Sequence, residues 1–117
     1  MKGKDGRRIE RLADLIREEV SRLLIKEIKD PRIGMITVTA VEVSRDIRTA
    51  KIFYTVGADG TARREAQKGL ESAAGFIRSS LAAGLTIRRV PELTFIYDKS
   101  SDYGEKIDRI LEELKKE

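Results

Sequence analysis

No cysteine and no histidine occur in this chain. The first absence excludes disulfides and thiolate metal sites. The second removes the usual general base and the commonest protein metal ligand. Any catalysis would rest on carboxylates, lysines, hydroxyls or tyrosines. Aromatic residues are scarce as well, three Tyr and three Phe, so base stacking is not expected to be the main source of affinity for a nucleic acid. No apolar run approaches the ~20 residues of a membrane span, and no apolar stretch follows the basic N-terminus. The expected address is cytoplasmic, with no membrane partner. No P-loop, dinucleotide fingerprint or nucleophile elbow is present. Asp98 and Asp102, beside Lys99, are explained by turn and cap chemistry rather than by a metal. No enzyme activity, cofactor, metal or small-molecule substrate is therefore expected.

What is present is charge. Charged residues make up 38% and hydrophobic residues 40% of the 117 residues, which suits one soluble domain with one modest core. The net charge of +4 is small, and its distribution says more than its size. Residues 61–90 carry six basic and two acidic side chains, whereas residues 91–117 carry five and eight. A solvated surface accounts for this pattern, and so does a polyanion-binding face with an acidic end pointing elsewhere.

The period of the apolar residues lays out the elements. Residues 1–6 are polar and expected to fray. Ile9, Leu12, Ala13, Ile16, Val20, Leu23 and Leu24 form a helical stripe over 7–29. Leu15 and Ile25 fall off it, which predicts a helix covered on more than one side. Asp30-Pro31 stops it, and Gly34 allows a turn. Met35 to Ser44 reads as a strand whose alternation slips midway, so a β-bulge is expected near Ala40. Arg45-Asp46 reads as a turn, and Thr49 to Val56 as a second strand pairing antiparallel with the first. The literal GxxG at Gly57 to Gly60 reads as a turn. A long helical pattern follows, with Ala66, Leu70, Ala73, Ile77 and Leu81 on one side. Arg64, Lys68, Glu71, Gly75 and Arg78 lie opposite. Gly75 predicts a kink that divides the pattern into two helices, the second closed by Gly84. After the basic turn Arg88-Arg89, Leu93 to Tyr97 reads as a third strand. A last helix begins at Ser100, with Asp102 and Glu105 as a capping box and Ile107, Ile110, Leu111 and Leu114 as its stripe.

The order helix, two strands, kinked helix pair, strand is that of an α+β, type II KH-like domain with a three-stranded sheet and an added C-terminal helix. KH domains admit single-stranded nucleic acid at a glycine-containing helix junction, which here is spelled Ala73-Ala74-Gly75. The candidate RNA-binding residues are these three together with Arg64, Lys68 and Arg78 on the helix pair, Arg88 and Arg89 at the following turn, and Arg45 and Arg48 at the hairpin. Each has a plainer reading. Gly75 serves packing as well as function, the helix charges are equally ordinary solvated ones, and Glu71 among them opposes phosphate. Arg7, Arg8 and Arg11 share their helix with acids. Phe53 and Phe76 read better as core than as stacking platforms.

Four stretches then carry a family resemblance. Glu27-Ile28-Lys29-Asp30-Pro31-Arg32-Ile33-Gly34-Met35, Val43-Ser44-Arg45-Asp46, Ser72-Ala73-Ala74-Gly75-Phe76-Ile77-Arg78 and Val90-Pro91-Glu92-Leu93-Thr94-Phe95 resemble ribosome-binding factor A, the bacterial assembly factor of the small (30S) ribosomal subunit. The resemblance spans roughly residues 7 to 114. It implies an interrupted Ala-x-Gly in place of GxxG, mapped onto Ala73, Ala74 and Gly75. It also implies binding to the free 30S subunit through 16S rRNA, support for 5′-end processing of that rRNA late in maturation, a role in growth in the cold, and no catalysis. The expected partner is therefore the 30S subunit, bound by a monomer. The alternative from a different class is a protein-interaction module docking through the acidic C-terminal helix, and a general RNA chaperone is a third.

Overall fold

The computed structural model describes residues 4–33, 36–57, 60–85 and 87–115, with side chains described except at 4, 5, 60, 61 and 101–108. Helix α1, Lys4–Lys26, buries Leu12, Ile16, Val20, Leu23 and Leu24, the stripe that the period required. Leu15 and Ile25 are not covered by the described residues; they are 42% and 80% exposed. The Leu23 carbonyl accepts from both Glu27 N and Ile28 N, at 3.0 and 2.9 Å, and closes the helix. The Asp30 carboxylate then grips its neighbour's guanidinium, with Arg32 Nη2 2.6 Å from Oδ2, and accepts the Arg32 backbone N–H at 2.9 Å. This pair shapes a single 3-10 turn, Pro31–Ile33, and buries Ile33. Gly34 and Met35, expected in a turn and a strand, lie outside the described residues, as do Ala58 and Asp59 of the 57–60 loop, whose last residue, Gly60, begins the next helix.

Strands β1, Ile36–Val43, and β2, Thr49–Val56, pair antiparallel. Val38 faces Tyr54 and Ala40 faces Phe53, so Thr39 is the extra residue of a bulge, one residue from where the slipped alternation put it. Helix α2, Gly60–Gly84, carries the chain over to β3, Glu92–Tyr97, which pairs parallel with β2. A parallel pair needs such a crossover, because a tight turn cannot join two strands running the same way. The sheet order is β1-β2-β3. Val38, Ala50, Ile52, Tyr54 and Phe95 on one face meet Ala66, Leu70, Ile77 and Leu81 of α2 and the stripe of α1 in one core.

The fold class is the expected α+β, KH-like one. The expected helix pair, however, is one uninterrupted helix of 25 residues, with Gly75 in its interior. A glycine within a helix costs only about 1 kcal/mol relative to alanine. Here Ala73 and Ala74 precede it, and buried Ile77 and Leu81 hold the following turns on the core. Gly84 is the last helical residue.

Polar bonds fix the first half of α2. The Tyr54 hydroxyl donates to Gln67 Oε1. Gln67 Nε2 in turn donates to the Phe95 carbonyl and to Glu71 Oε1, each at 3.0 Å. One side chain thereby joins β2, α2 and β3. Burial pushes the Tyr54 phenol above its ordinary pKa, so it remains a donor. Tyr97 meets the Tyr54 ring edge-on at 5.8 Å, and the Arg63 guanidinium lies 3.7 Å from the Tyr97 ring centre.

Helix α3, Lys99–Lys115, is capped one turn earlier than expected. Asp98 Oδ1 accepts Ser100 N at 3.0 Å and Ser100 Oγ at 2.5 Å, while Oδ2 accepts Thr39 Oγ1 at 2.7 Å. Asp102 lies inside the helix, so it is not the cap; the strand ends at Tyr97 and leaves Asp98 in the capping position. Residues 109–115 are exposed throughout.

Candidate nucleic-acid interface

Strands that run parallel begin at the same end of a sheet, and so do the loops that feed them. Thr49 pairs with Glu92 at the start of β2 and β3, and Glu92 N donates to the Arg48 carbonyl at 2.8 Å. The hairpin turn before β2 and the basic turn before β3 are therefore neighbours, although about forty residues separate them in the sequence.

The hairpin turn is internally bonded. Ile47 N donates to the Ser44 carbonyl at 2.9 Å. Asp46 Oδ1 accepts Ser44 Oγ at 2.7 Å and Arg48 N at 3.1 Å. Hydrogen bonds from Ser44 and then Arg48 hold the Asp46 carboxyl below the usual carboxylate range. Ile47 turns the chain with φ of 59°, a left-handed conformation that a β-branched residue rarely adopts. Its side chain is half-buried against the core, and that packing offsets the strain.

Beside this turn lies a surface cleft of about 630 Å³. Arg48 comes from the hairpin, Arg88 and Arg89 from the second turn, and Arg8 from the start of α1; Leu12, Ile47 and Ile87 supply apolar surface, and Asp46 supplies an acid. Among the described residues, four guanidiniums thus share a concavity with a single carboxylate. Arg48 Nε stands 3.9 Å from Asp46 Oδ2 on an exposed surface, a weak pair. Among the described residues Arg8, Arg88 and Arg89 have no acidic partner within ion-pair distance.

The remaining expected site residues lie apart from the cleft. Arg45 is exposed on the hairpin turn but does not line it. On α2, Arg64 is exposed and Lys68 lies 3.8 Å from Glu65. Ala73 and Ala74 are half-buried against the core, and Gly75 is exposed. Phe76, expected in the core, is 49% exposed beside it. Arg78 is committed to its own chain: Nη2 donates to the Val90 carbonyl at 3.2 Å and Nε to the Pro91 carbonyl at 3.3 Å. It therefore braces the loop that carries Arg88 and Arg89.

Sequence reasoning gave Arg8 no special place among the N-terminal arginines. Its signal was available: it stands four residues before buried Leu12, on the core-facing side at the helix start. No local signal marks Ile47 or Ile87 as cleft residues. Among the described residues no group of three or more Asp or Glu could hold a metal ion, and none of the helices is long and apolar enough to cross a membrane.

A protein-family model, Ribosome-binding factor A, matches residues 8–111. The ribosome-binding factor A of Geobacter sulfurreducens is 48% identical over 110 residues, covering 94% of this chain and 93% of that protein. That of Pelobacter propionicus is 46% identical over 109 residues, covering 93% and 89%. Among solved structures, the crystal structure of ribosome-binding factor A from Thermus thermophilus superposes with a TM-score of 0.69 at 22% identity, over 76% of this chain and 93% of that one. A homology model of the Thermus thermophilus protein, fitted into a cryo-electron microscopy map of its complex with the 30S subunit, superposes with a TM-score of 0.56 at 27% identity, over 74% and 94%.

Proposed function

The chain belongs to the ribosome-binding factor A family, and from that premise we propose that it binds the free 30S subunit in the cytoplasm, as a monomer, by neutralising phosphates of 16S rRNA. The observation that carries this reading is the convergence of Arg8, Arg48, Arg88 and Arg89 on one cleft. Guanidinium groups meet phosphate oxygens through paired N–H donors. Neutralising several phosphates releases condensed counterions, which makes such binding strong and salt-dependent. The protein holds an rRNA conformation and later leaves; it does not cut. Support for late maturation, including formation of the 16S 5′ end, and a role in the cold follow from that holding action. The outer face of α2, with Arg64, Lys68 and the exposed Gly75, and Arg45 on the hairpin serve as further contact surface.

The test is sedimentation with separated ribosomal fractions. Wild-type protein is expected to travel with free 30S subunits. The double variant Arg88→Glu with Arg89→Glu, which replaces exposed turn residues, is expected to lose at least about tenfold in affinity at ~0.1 M salt while melting as wild type does. Unchanged co-sedimentation of the double variant would remove the cleft from the mechanism.

A second reading, docking on a basic protein through α3, is supported by one observation. Ile110, Leu111 and Leu114 are 44%, 51% and 63% exposed beside Glu112 and Glu113. A variant with Leu111 and Leu114 replaced by Ser keeps RNA binding under the first reading and loses subunit binding under the second.

A further inference from the structure

The arginine cleft is shaped for more than backbone. A convex row of guanidiniums is enough to neutralise phosphates along a duplex, and it needs neither depth nor an apolar floor. This cleft is concave, and apolar side chains are part of its lining. Its volume of about 630 Å³ falls in the range of pockets that enclose a small organic molecule, ~300–1,000 Å³, and is far more than a phosphate group fills. Between the guanidiniums lie Leu12, Ile47 and Ile87. Ile47 and Ile87 are only half-buried, so apolar surface faces the opening. A flat base would cover such a floor, and a phosphate would not.

We propose that the cleft takes a single unpaired ribonucleotide, its phosphate held by Arg88, Arg89, Arg8 or Arg48 and its base laid on the aliphatic floor. The proposal rests on the rRNA-binding reading and names what that site selects. In a paired A-form helix the faces of the bases are stacked inside, and a protein meets phosphates, sugars and minor-groove base edges but no free base face. An unpaired nucleotide, such as a bulge, offers its base without the cost of breaking a pair. Among the described lining residues there is no aromatic ring, so stacking falls to aliphatic groups and to a guanidinium plane, which arginine provides. None of these reads a base edge, and selection by base identity is weak. Asp46 has a place in this arrangement. A carboxylate in a phosphate site is repulsive unless it faces another part of the ligand. Asp46 Oδ1 is occupied by Ser44 Oγ and Arg48 N, and Oδ2 remains able to accept a ribose 2′-hydroxyl.

The experiment compares three RNA hairpins titrated with the full chain at ~0.1 M salt. One is fully paired, one carries a single unpaired nucleotide in its stem, and one carries that nucleotide as its 2′-deoxy form. The bulged hairpin is expected to bind about tenfold more tightly than the paired one, within what one stacked base contributes. The deoxy form is expected to lose a few-fold of that gain. Ile87→Ser is expected to erase the preference for the bulge while leaving the slope of log affinity against log salt unchanged. Arg8→Gln, a surface change, is expected to reduce the slope by about one. Should Ile87→Ser melt early, the wild-type preference and the Arg8→Gln slope decide the matter. Equal, salt-dependent binding of the paired and bulged hairpins would overturn the nucleotide site and leave the rRNA reading standing. Absence of binding to every hairpin, together with loss of co-sedimentation with 30S subunits, would overturn both. Equal binding of the ribo and deoxy forms would remove Asp46 from the proposal.

Discussion

Gly69 and Gly75 lie six residues apart in one helix and meet opposite surroundings. A Cβ on Gly69 would stand 2.7 Å from Ile33 Cγ2 and 3.2 Å from Arg32 Cβ, so the 3-10 turn at Pro31–Ile33 packs against helix backbone. A Cβ on Gly75 would meet nothing within 4 Å. The first half of α2 is held from several sides, by that turn, by the Tyr54–Gln67 bond and by the Arg63–Tyr97 stack. The outer face of the second half, with exposed Ser72, Gly75, Phe76 and Ser79, is held by nothing else in the described chain. The same letter is thus a packing requirement at one position. At the other, none of the described residues demands it.

Four outcomes would break or sharpen this contrast. The largest is expected from Gly69→Val. Ile33 is buried and short, so it cannot swing aside, and overpacking of this kind costs ~3 kcal/mol or about 10 °C in melting temperature. A melt within 2 °C or so of wild type would show that the turn simply moves away. Tyr54→Phe comes next. It leaves Gln67 Oε1 without its donor in a part-buried site and is expected to cost about 1–2 kcal/mol in denaturant unfolding. The third change has the opposite sign. Gly75→Ala is expected to stabilise the protein by ~0.5–1 kcal/mol through helix propensity, and a clear loss of stability would mean that the helix bends there after all. If Gly75 touches rRNA backbone, the same variant binds subunits more weakly despite its higher melting point.

The smallest effect is that of acid. Asp30, which shapes the turn against Gly69, has its pKa lowered, first by its hydrogen bond with Arg32. Asp98 is lowered by bonds from Ser100 and Thr39. A carboxyl whose folded pKa lies below its unfolded one adds stability above the unfolded value. That stability is lost as pH falls through the folded value. Melting temperature is therefore expected to decline below about pH 4, the unperturbed range of Asp. Asp30→Asn is expected to flatten that decline, and an identical pH profile in the variant would count against the role given to the turn.

Much of the scaffold was legible in the letters. Period-2 alternation located β1 and β2, and the slip in it placed a bulge near Ala40, one residue from the extra Thr39, because a half-buried face leaves little freedom in register. Asp30-Pro31 marked the end of α1 only to within a turn, since the helix closes at Lys26. Gly75 reads as a kink from its local cost, but that cost is only about 1 kcal/mol, and the apolar stripe runs on through Ile77 and Leu81, both fully buried, which keeps α2 whole. The requirement at Gly69 was not legible at all. It is imposed by residues more than thirty positions earlier, and nothing around Gly69 hints at them. The candidate site shows the same limit. Arg48, Arg88 and Arg89 stood out as charges at turns, but their convergence depends on the parallel register of β2 and β3. Arg8 joins them only through the packing of α1.

That register has a further consequence. The hydrogen bond from Glu92 N to the Arg48 carbonyl ties the two arginine-bearing loops at the outset of β3, an edge strand of the sheet. A ligand that grips Arg48 and Arg89 together acts as a clasp on that strand. Whatever binds the paired state alone stabilises it in proportion to ligand concentration. The amides of residues 92–97 would then exchange with solvent more slowly in the bound protein, and the rate of their exchange becomes a gauge of whether the cleft is filled.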